Sequence, residues 1–342
     1  MSEVLPLVCV CIPTYNSEKT IGATLQSILN QSYHNLVIKI VDNASTDKTL
    51  LIVESFSDPR LQIIKNAVNV GGEGNFDRCI EIAEGVYTAI YHSDDIYMPS
   101  MIEREVEFLK RNLNVGAVFT RASLIDEWGS VFGKTSVPND DVSSNNTYSF
   151  DEIFKLTLKL MNFLVCPSAM VRTDIYKNEI CRWRADLFAS SSDLDVWFRI
   201  LDAHQIGIIP EELMQYRIGA QQFSAGLKTR LERSDFFLVM DYYLKQEKIQ
   251  RMLTKTDLKN YRWLERVGYV TQATKLFLLG RDQESRLLCQ DIFTIDAIQA
   301  AFSSRLALKA LLSGYYLRFF MAFDIQNIGR LLIQRFNILN MK

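Results

Sequence analysis

Residues 7–49 read LVCVCIPTYNSEKTIGATLQSILNQSYHNLVIKIVDNASTDKT, and this stretch decides the fold. It contains two short apolar runs, Leu7–Ile12 and Leu36–Val41, each continuous enough to be a strand buried on both faces. Between them, residues 21–29 carry apolar side chains at helical spacing. A strand, a helix and a second strand at these intervals predict a right-handed βαβ unit in a parallel sheet.

The same alternation continues to about residue 120. Further strands are predicted at Leu61–Ile64, Val86–Tyr91 and Ala117–Thr120. Helices fill the intervals, and one of them begins at Pro99 and Ser100. We therefore predict an α/β domain with an open, mostly parallel, Rossmann-like sheet, in which ligands bind beyond the carboxyl ends of the strands.

The remaining chain changes character twice. Residues 133–149 are polar and predict a mobile surface loop. Residues 150–227 mix elements, predicted as helix Asp151–Met161, strand Phe163–Val171, helix Asp193–His204 and strands Ile206–Ile209 and Leu213–Arg217. From residue 228 only helices are predicted, at Ser234–Lys248, Leu258–Leu279, Gln283–Phe293 and Ala297–Phe336, with Gly268, Gly280 and Gly314 as candidate interruptions. The predicted domains are thus 1–227, catalytic, and 228–342, helical.

The chain has 342 residues, 48% of them hydrophobic and 23% charged, which excludes collagen-like and disordered proteins. Its net charge of −2 divides unevenly. Residues 1–227 hold 19 basic and 29 acidic residues, whereas residues 228–342 hold 19 basic and 11 acidic residues. This polarity favours a metal or cationic ligand in the first part and a membrane surface or acidic partner in the second. No nucleic acid partner is expected.

Several features predict a cytoplasmic protein. The six cysteines form no CxxC pair, so we interpret them as buried, reduced thiols. The N-terminus has no basic region before its first strand, which argues against a signal peptide. The longest uncharged run, Thr20–Ile38, is too polar to span a membrane.

Four polar segments adjoin predicted strands and should meet at one edge of the sheet. They are Pro13-Thr14-Tyr15-Asn16, Asp42-Asn43-Ala44-Ser45-Thr46-Asp47, Asn69–Asn75 and Ser93-Asp94-Asp95. Successive residues of an extended segment point to opposite faces, so Asp94 and Asp95 can hold a sugar hydroxyl and a divalent cation separately. The alternatives are a helix-capping turn at Asp42–Asp47 and a solvated acidic turn at Asp94–Asp95.

The glycines at 71–74 do not follow the GxGxxG spacing of dinucleotide-binding loops, and the chain contains no GxxxxGK[ST] phosphate loop. We interpret them as letting the backbone pass close to a ligand. Asn75 and Arg78, on the helix that follows, are expected to face that ligand.

Taken in order, four segments resemble the family 2 inverting glycosyltransferases of the GT-A fold, of the bacterial surface-polysaccharide type. They are VCVCIPTYNSEKTIGATLQSILNQSY, IVDNASTDKT, NVGGEGNFDRCIEIAEGVYTAIYHSDDIY and SSDLDVWFRILDAHQIGIIPEELMQYR. The resemblance covers roughly residues 5–225 and rests on four spaced motifs together.

The resemblance implies a nucleoside-diphosphate sugar donor, expected to be a UDP-sugar, and a divalent metal, Mn²⁺ or Mg²⁺. It implies that Asp94 holds the ribose and Asp95 holds the metal. The other residues expected to bind the donor are Pro13, Thr14, Tyr15, Asn16, Asp42, Asn43, Ser45, Gly72, Asn75, Arg78 and Ser93.

Asp193 is the implied catalytic base. It matches the second residue of an acidic dipeptide that precedes a helix in the family, while Ser192 replaces the first. A single displacement with inversion needs a carboxylate that takes the proton of the acceptor hydroxyl. Alternatively, Asp193 is only an acidic helix cap, and a position at a helix N-terminus would lower its pKa. Asp195 is the weaker candidate.

The third metal ligand is left open. Many relatives have a histidine shortly after a Tyr-Arg pair, but Gly219 stands at that place here. Water, Gln221 or Gln222 can take its role. His34, His92 and His204 are scattered through the chain, and we interpret them as structural or surface residues.

Residues 297–342 carry six basic residues and one acid. An apolar stripe runs through this segment at Leu308, Leu311, Leu312, Tyr315, Phe319 and Phe323. Such a helix can lie in an anionic membrane surface. The alternative is that it packs on the protein's own core or on another subunit of an oligomer.

The expected function is transfer of a sugar to a hydroxyl of a glycan or lipid-linked acceptor, at the inner face of the cell membrane. One alternative is a sugar-1-phosphate nucleotidyltransferase, which would need a Gly-rich, basic loop after the first strand. The other is a catalytically inactive module that binds a sugar nucleotide or glycan within a membrane assembly.

Overall fold

The computed structural model describes residues 5–135, 146–219, 233–290, 294 and 305–336. The chain divides into two compact units. The first comprises Met1–Thr157 and Asn162–Gly219, and the second comprises Leu158–Met161 and Ala220–Lys342. Every strand of the described residues lies in the first unit.

The strands are β1 Val8–Thr14, β2 Leu36–Asp42, β3 Leu61–Lys65, β4 Tyr87–Ile90, β5 Ile96–Tyr97, β6 Val115–Ile125, β7 Val131–Lys134, β8 Thr147–Tyr148, β9 Met170–Arg172 and β10 Gln205–Arg217. The helices of the first unit are α1 Ile21–Leu29, α2 Thr49–Glu54, α3 Gly71–Ile82, α4 Met101–Arg111, α5 Phe150–Leu160, whose last residues belong to the second unit, α6 Thr173–Ile175, α7 Ala185–Phe188 and α8 Ser192–Leu201. Those of the second unit are α9 Asp235–Leu244, α10 Glu247–Met252, α11 Lys255–Leu278, α12 Asp282–Leu288, α13 Arg305–Ala322 and α14 Gln326–Phe336.

The described strands form one sheet in the order β3-β2-β1-β4-β9-β6-β10-β5, with β7 on β6 and β8 on β10. The pairs among β1 to β4 are parallel, and β6 and β10 are parallel as well. Every residue of β2 is buried, and so are six of the seven in β1, as expected of central strands with helices on both faces. The predicted α/β fold with a mostly parallel sheet is confirmed, and all five early strands lie within a few residues of their predicted bounds.

The predicted strand Phe163–Val171 is largely wrong. Residues Cys166–Ser168 form a turn of 3₁₀ helix instead, because Pro167 lacks the N–H group that a sheet ladder needs. Only β9 is extended, and it runs antiparallel between β4 and β6. The two strands predicted around Pro210 are a single strand, β10, whose register against β6 shifts just after Ile209.

Close packing fixes the first residues of β10 against α4. A Cβ atom added at Gly207 would lie 2.2 Å from the ring of Phe108, so only glycine fits there without displacement. The core continues beneath the sheet edge, where Tyr91 and Tyr97 stack with ring centroids 4.1 Å apart. Both tyrosines flank the acidic segment that follows β4.

The described part of the second unit is entirely helical, as predicted. Thr254 and Asp257 form a capping box that begins α11. Gly268 does not interrupt α11, and Gly280 follows it with a φ of +79°. The long helix predicted over 297–336 is α13 and α14 where the structure describes it, separated at Asp324, which has a φ of +57°.

Free thiols account for all six cysteines. Four are buried as predicted, whereas Cys166 is half-buried and Cys181 is exposed. Gln221, Gln222 and most of the predicted 133–149 loop lie outside the described residues. Among the described helices, none combines the length and apolar character needed to cross a membrane.

Candidate functional site

The carboxyl ends of β1 and β2 form one side of the candidate site. Thr14 pairs with Asp42 in the parallel ladder and is buried, whereas Tyr15 is 48% exposed. Asn16 adopts a φ of +47°, and its side-chain oxygen accepts a hydrogen bond from the Thr46 N–H at 2.8 Å. Its own N–H donates to Ser45 Oγ at 3.0 Å. The PTYN and DNAST segments are therefore locked together.

Asp42 is the last residue of β2 and is 1% exposed. Its Oδ2 accepts a hydrogen bond from the Ser45 N–H at 3.1 Å, which gives it the turn role that the sequence left open. Its Oδ1 is buried and has no hydrogen-bond partner in the described parts of the chain. Because a buried acceptor without a partner is costly, this oxygen is expected to pair with a donor outside the described residues.

Asn43 is buried, and its side-chain amide holds the segment Asn69–Gly71 in place. Its amide nitrogen donates to Asn69 Oδ1 at 3.0 Å and to the Gly71 carbonyl at 2.9 Å. Its oxygen accepts from the Val70 N–H at 2.9 Å and from Asn66 Nδ2 at 3.2 Å. These protein contacts occupy both ends of the amide, so Asn43 shapes the site by holding the loop.

The side-chain amide of Asn75 is likewise occupied by protein contacts. Its amide nitrogen donates to the Val41 carbonyl at 2.8 Å, and its oxygen accepts from Asn66 at 2.9 Å. Arg78, one turn further along α3, is partly exposed and pairs with Glu81. The side chain of Asn75 therefore faces the strand end, and Arg78 faces solvent.

The backbone at Gly71 and Gly72 is open. A Cβ atom at either position would meet no atom within 4 Å, and Gly71 has a φ of +82°. The positive φ explains the glycine at 71, since other residues rarely adopt it. The open space beside Gly72, in the first turn of α3, fits the expectation that the backbone there can lie against a ligand.

The acidic segment after β4 faces these loops from the other side of β1. Ser93 Oγ lies 2.8 Å from Ser17 Oγ, which ties the segment to the loop after β1. Asp94 is half-buried, whereas Asp95 is fully buried. Potential metal-ligating atoms of His92, Asp94 and Asp95 all lie within 4.8 Å of one another.

Asp95 is held by only one of its two oxygens. Oδ1 accepts a hydrogen bond from the Arg217 N–H at 2.8 Å, while Oδ2 is buried without a partner among the described residues. The Arg217 guanidinium donates to the carbonyls of Asp94 at 2.8 Å and Asp126 at 2.9 Å. Arg217 therefore ties the end of β10 to the acidic segment. Burial, reinforced by the charge of Asp94, holds the pKa of Asp95 well above its ordinary value.

Asp193 lies in the first turn of α8 and is half-buried. Its Oδ2 accepts a hydrogen bond from Asn162 Nδ2 at 2.9 Å. Burial raises its pKa to about 6, against the lowering effect of hydrogen bonds from the Leu194 N–H and Asn162. The expectation that capping would lower this pKa is wrong, because the loss of hydration outweighs the helix-terminal contacts.

Asp195 has a different environment, although it is only two residues away. It is fully buried and forms ion pairs with Arg184 and, at 3.0 Å, with Arg199. The Arg184 pair joins α8 to the residue that precedes α7, and the Arg199 pair lies within α8. Asp195 is therefore a structural residue, and Asp193 stays the candidate for proton transfer.

The negative charges of Asp193 and Asp95 both contribute to raising the pKa of Cys166, and both act on Tyr216 as well. Asp193 and the acidic segment therefore share one neighbourhood. Sequence reasoning missed Asn162, for which no pattern gave a signal. It also interpreted His92 as a structural or surface residue, although this residue lies only two positions before Asp94.

The chain is similar to several known proteins. The family model described as glycosyl transferase family 2 matches residues 9–179. An uncharacterized glycosyltransferase of Methanocaldococcus jannaschii is 33% identical over 218 residues, which is 62% of this chain and 71% of that protein. The Escherichia coli UDP-Glc:alpha-D-GlcNAc-diphosphoundecaprenol beta-1,3-glucosyltransferase WfgD is 26% identical over 66% of this chain and 83% of its own length.

Two solved structures show the same fold at low sequence identity. S. aureus TarS 1–349 in complex with UDP-GlcNAc is 17% identical, with a TM-score of 0.58, over 96% of this chain and 92% of that one. A mannosyltransferase of Pyrobaculum calidifontis, solved with GDP-Man and Mn²⁺, is 16% identical, with a TM-score of 0.55, over 96% and 88%. From the matched family model and the archaeal relative, the chain belongs to glycosyl transferase family 2.

Proposed function

We propose that this chain transfers a sugar from a nucleoside-diphosphate donor, a UDP-sugar, to a hydroxyl of a glycan or lipid-linked acceptor, with inversion, in polysaccharide biosynthesis. One observation carries the proposal. Asp42 ends β2 and Asp95 follows β4, which are the two strands beside β1, and Asp42 Oδ1 and Asp95 Oδ2 are each buried without a partner among the described residues. A bound nucleotide and cation would satisfy both oxygens.

The donor side of the site follows from these two carboxylates. Asp42 Oδ1 would accept a hydrogen bond from a base N–H or a ribose hydroxyl, and the exposed ring of Tyr15 offers a surface for stacking. Asp94, half-buried, would accept from a ribose hydroxyl. The first turn of α3, at Gly72, leaves room for the ligand to lie against the backbone.

The donor set of the acidic segment fits a divalent cation. Its two carboxylates and one imidazole stand within 4.8 Å, and Asp95 Oδ2 is unpartnered. Hard oxygen ligands suit Mg²⁺ and Mn²⁺, so Asp95 is proposed as a ligand. When bound, such an ion neutralises the charge that develops on the leaving diphosphate.

Asp193 would act on the acceptor. As the acceptor oxygen bonds to the anomeric carbon, the bond from that carbon to the diphosphate oxygen breaks, and its electron pair leaves with the diphosphate. The hydroxyl proton passes to the Asp193 carboxylate. A pKa of about 6 keeps most of this carboxylate ionised at pH 7 and leaves it basic enough to take the proton.

A surface of the second unit supports a membrane-linked acceptor. Four apolar side chains on α13 and one just after it are 42–65% exposed and recur every three or four residues: Leu308, Leu312, Tyr315, Phe319 and Phe323. Leu311, which was predicted to belong to this stripe, is buried in the unit's own core, as are Leu317 and Phe320. The exposed stripe, within a segment of net basic charge, would lie on the anionic inner face of the cell membrane.

The test of the function is a thermal-shift panel of nucleotide sugars with and without Mn²⁺, followed by measurement of released nucleoside diphosphate. A donor present at 100 times its Kd should add about 2.7 kcal/mol to the free energy of unfolding. Release of UDP that requires an acceptor supports transfer. Metal-enhanced binding without turnover of any donor would favour the inactive binding module, for which Gly219 in place of histidine is the one argument.

A further inference from the structure

The imidazole of His92 belongs to the acidic segment. Its Nδ1 lies 3.9 Å from Asp95 Oδ2, and its side chain is 28% exposed. The residue is held in place on two sides. Its backbone N–H donates to the Tyr97 hydroxyl at 2.8 Å. Its ring contacts the ring of Phe76 edge-on, with centroids 5.7 Å apart.

The distance between His92 and Asp95 suits a shared cation better than a direct contact. At 3.9 Å, Nδ1 and Oδ2 are too far apart for a hydrogen bond. Two metal–ligand bonds of about 2.1 Å place their ligand atoms about 3 Å apart when adjacent in an octahedral shell and about 4.2 Å apart when opposite, so the separation of 3.9 Å lies within the range that one shared ion can span. Asp95 Oδ2, the atom at that distance from His92 Nδ1, is buried and has no hydrogen-bond partner in the described structure.

We propose that His92 is a protein ligand of the divalent cation, alongside Asp95. The inference rests on the proposed function, because it concerns the ion that the donor diphosphate would share. It answers the question raised by Gly219, which follows β10 and offers no side chain. The imidazole would come from the segment after β4 instead, two residues before the first carboxylate.

A nitrogen ligand changes which metals the site prefers. Carboxylate and water ligands suit Mg²⁺ and Mn²⁺, whereas an imidazole raises the affinity for later first-row ions such as Co²⁺ and Ni²⁺. The ratio of Co²⁺ to Mg²⁺ affinity therefore reports on His92. Removal of the imidazole should lower this ratio, and replacement by a carboxylate should lower it while preserving Mg²⁺ binding.

The experiment compares the full chain with H92A, H92D and the matched control H34N, which alters an exposed histidine. Calorimetry in the presence of UDP gives the affinities for Co²⁺ and Mg²⁺. We expect H92A to weaken Co²⁺ binding at least tenfold, H92D to retain Mg²⁺ binding within a fewfold while losing the Co²⁺ preference, and H34N to match the wild type. The chain has three histidines, so each imidazole N–H resonance can be assigned by substitution. In the Co²⁺ form, a coordinated His92 should give a strongly shifted N–H resonance that H92D lacks.

Equal Co²⁺ to Mg²⁺ ratios in wild type, H92A and H92D would overturn this inference and leave the proposed function intact, provided that UDP binding still responds to the metal. The absence of any metal effect on UDP binding in the wild type would overturn the proposed cation site itself, and His92 with it. The two failures are therefore distinguishable.

Discussion

Asp193→Asn should stabilise the folded protein at neutral and alkaline pH while abolishing most of its activity. Asparagine has nearly the same shape, and its side-chain oxygen can still accept the hydrogen bond from Asn162 Nδ2. What the substitution removes is the cost of holding a carboxylate away from water, which is what raises the pKa of Asp193.

The magnitude follows from that pKa. Burial raises it from 3.8 to about 6, and each pKa unit corresponds to 1.36 kcal/mol, so the ionised carboxylate weakens folding by at most about 3 kcal/mol. The stability that the protonated acid provides is complete below about pH 4 and is lost as the pH rises through 6. The stability curves of wild type and variant should therefore separate from pH 4 upward and run parallel above pH 7.

The assay is urea unfolding of wild type and D193N between pH 5 and pH 8, with D195N as the control. Asp195 pairs with Arg184 and Arg199, so the same substitution there should destabilise the protein, by about 3 kcal/mol. Glycosyl transfer by D193N should fall by about 10²-fold or more at unchanged UDP affinity. A D193N protein that is less stable than wild type at pH 8, or a stability difference that does not change with pH, would refute the reasoning.

Three further predictions concern other parts of the molecule. Asp95→Asn should abolish both activity and metal-enhanced UDP binding, because the diphosphate loses its counter-charge; calorimetry with Mn²⁺ and UDP measures this, and unchanged metal dependence would contradict it. Replacing the exposed Leu312 and Phe319 by Asp should reduce sedimentation with anionic liposomes at low salt without changing the melting temperature, whereas a change in oligomeric state would show that the stripe is a subunit interface. Gly207→Ala should lower the melting temperature, because its Cβ would collide with Phe108, and an unchanged melting temperature would show that this ring moves aside.

The sheet was predictable because its central strands are buried on both faces. Leu36–Val41 is apolar apart from Lys39, and in an α/β protein such a run is typical of a strand buried on both faces. Prediction failed where long-range contacts decide the backbone. Residues 163–171 are apolar enough for a strand, yet Pro167 lies in a 3₁₀ turn and only Met170 and Val171 of that range belong to β9.

The site was predictable to the level of segments but not of individual roles. Residue types placed Asp42, Asp94 and Asp95 at the sheet edge, because polar side chains after buried strands have few structural reasons to be there. Whether a side chain faces the ligand or the protein depends on partners distant in sequence. Asn43 and Asn75 are occupied by protein contacts, and Asp193 has its pKa set by burial, which no local pattern encodes.

Gly72 lies in the first turn of α3, next to residues that protein contacts hold in place. Asn43 donates to the Gly71 carbonyl and Asn75 donates to the Val41 carbonyl, while the space beside Gly72 is unoccupied by other parts of the described chain. A side chain introduced at 72 would therefore enter open space without disturbing those contacts, in contrast to Gly71, where the positive φ resists substitution. Position 72 is thus the place where sequence variation beside the proposed donor site costs little folding free energy.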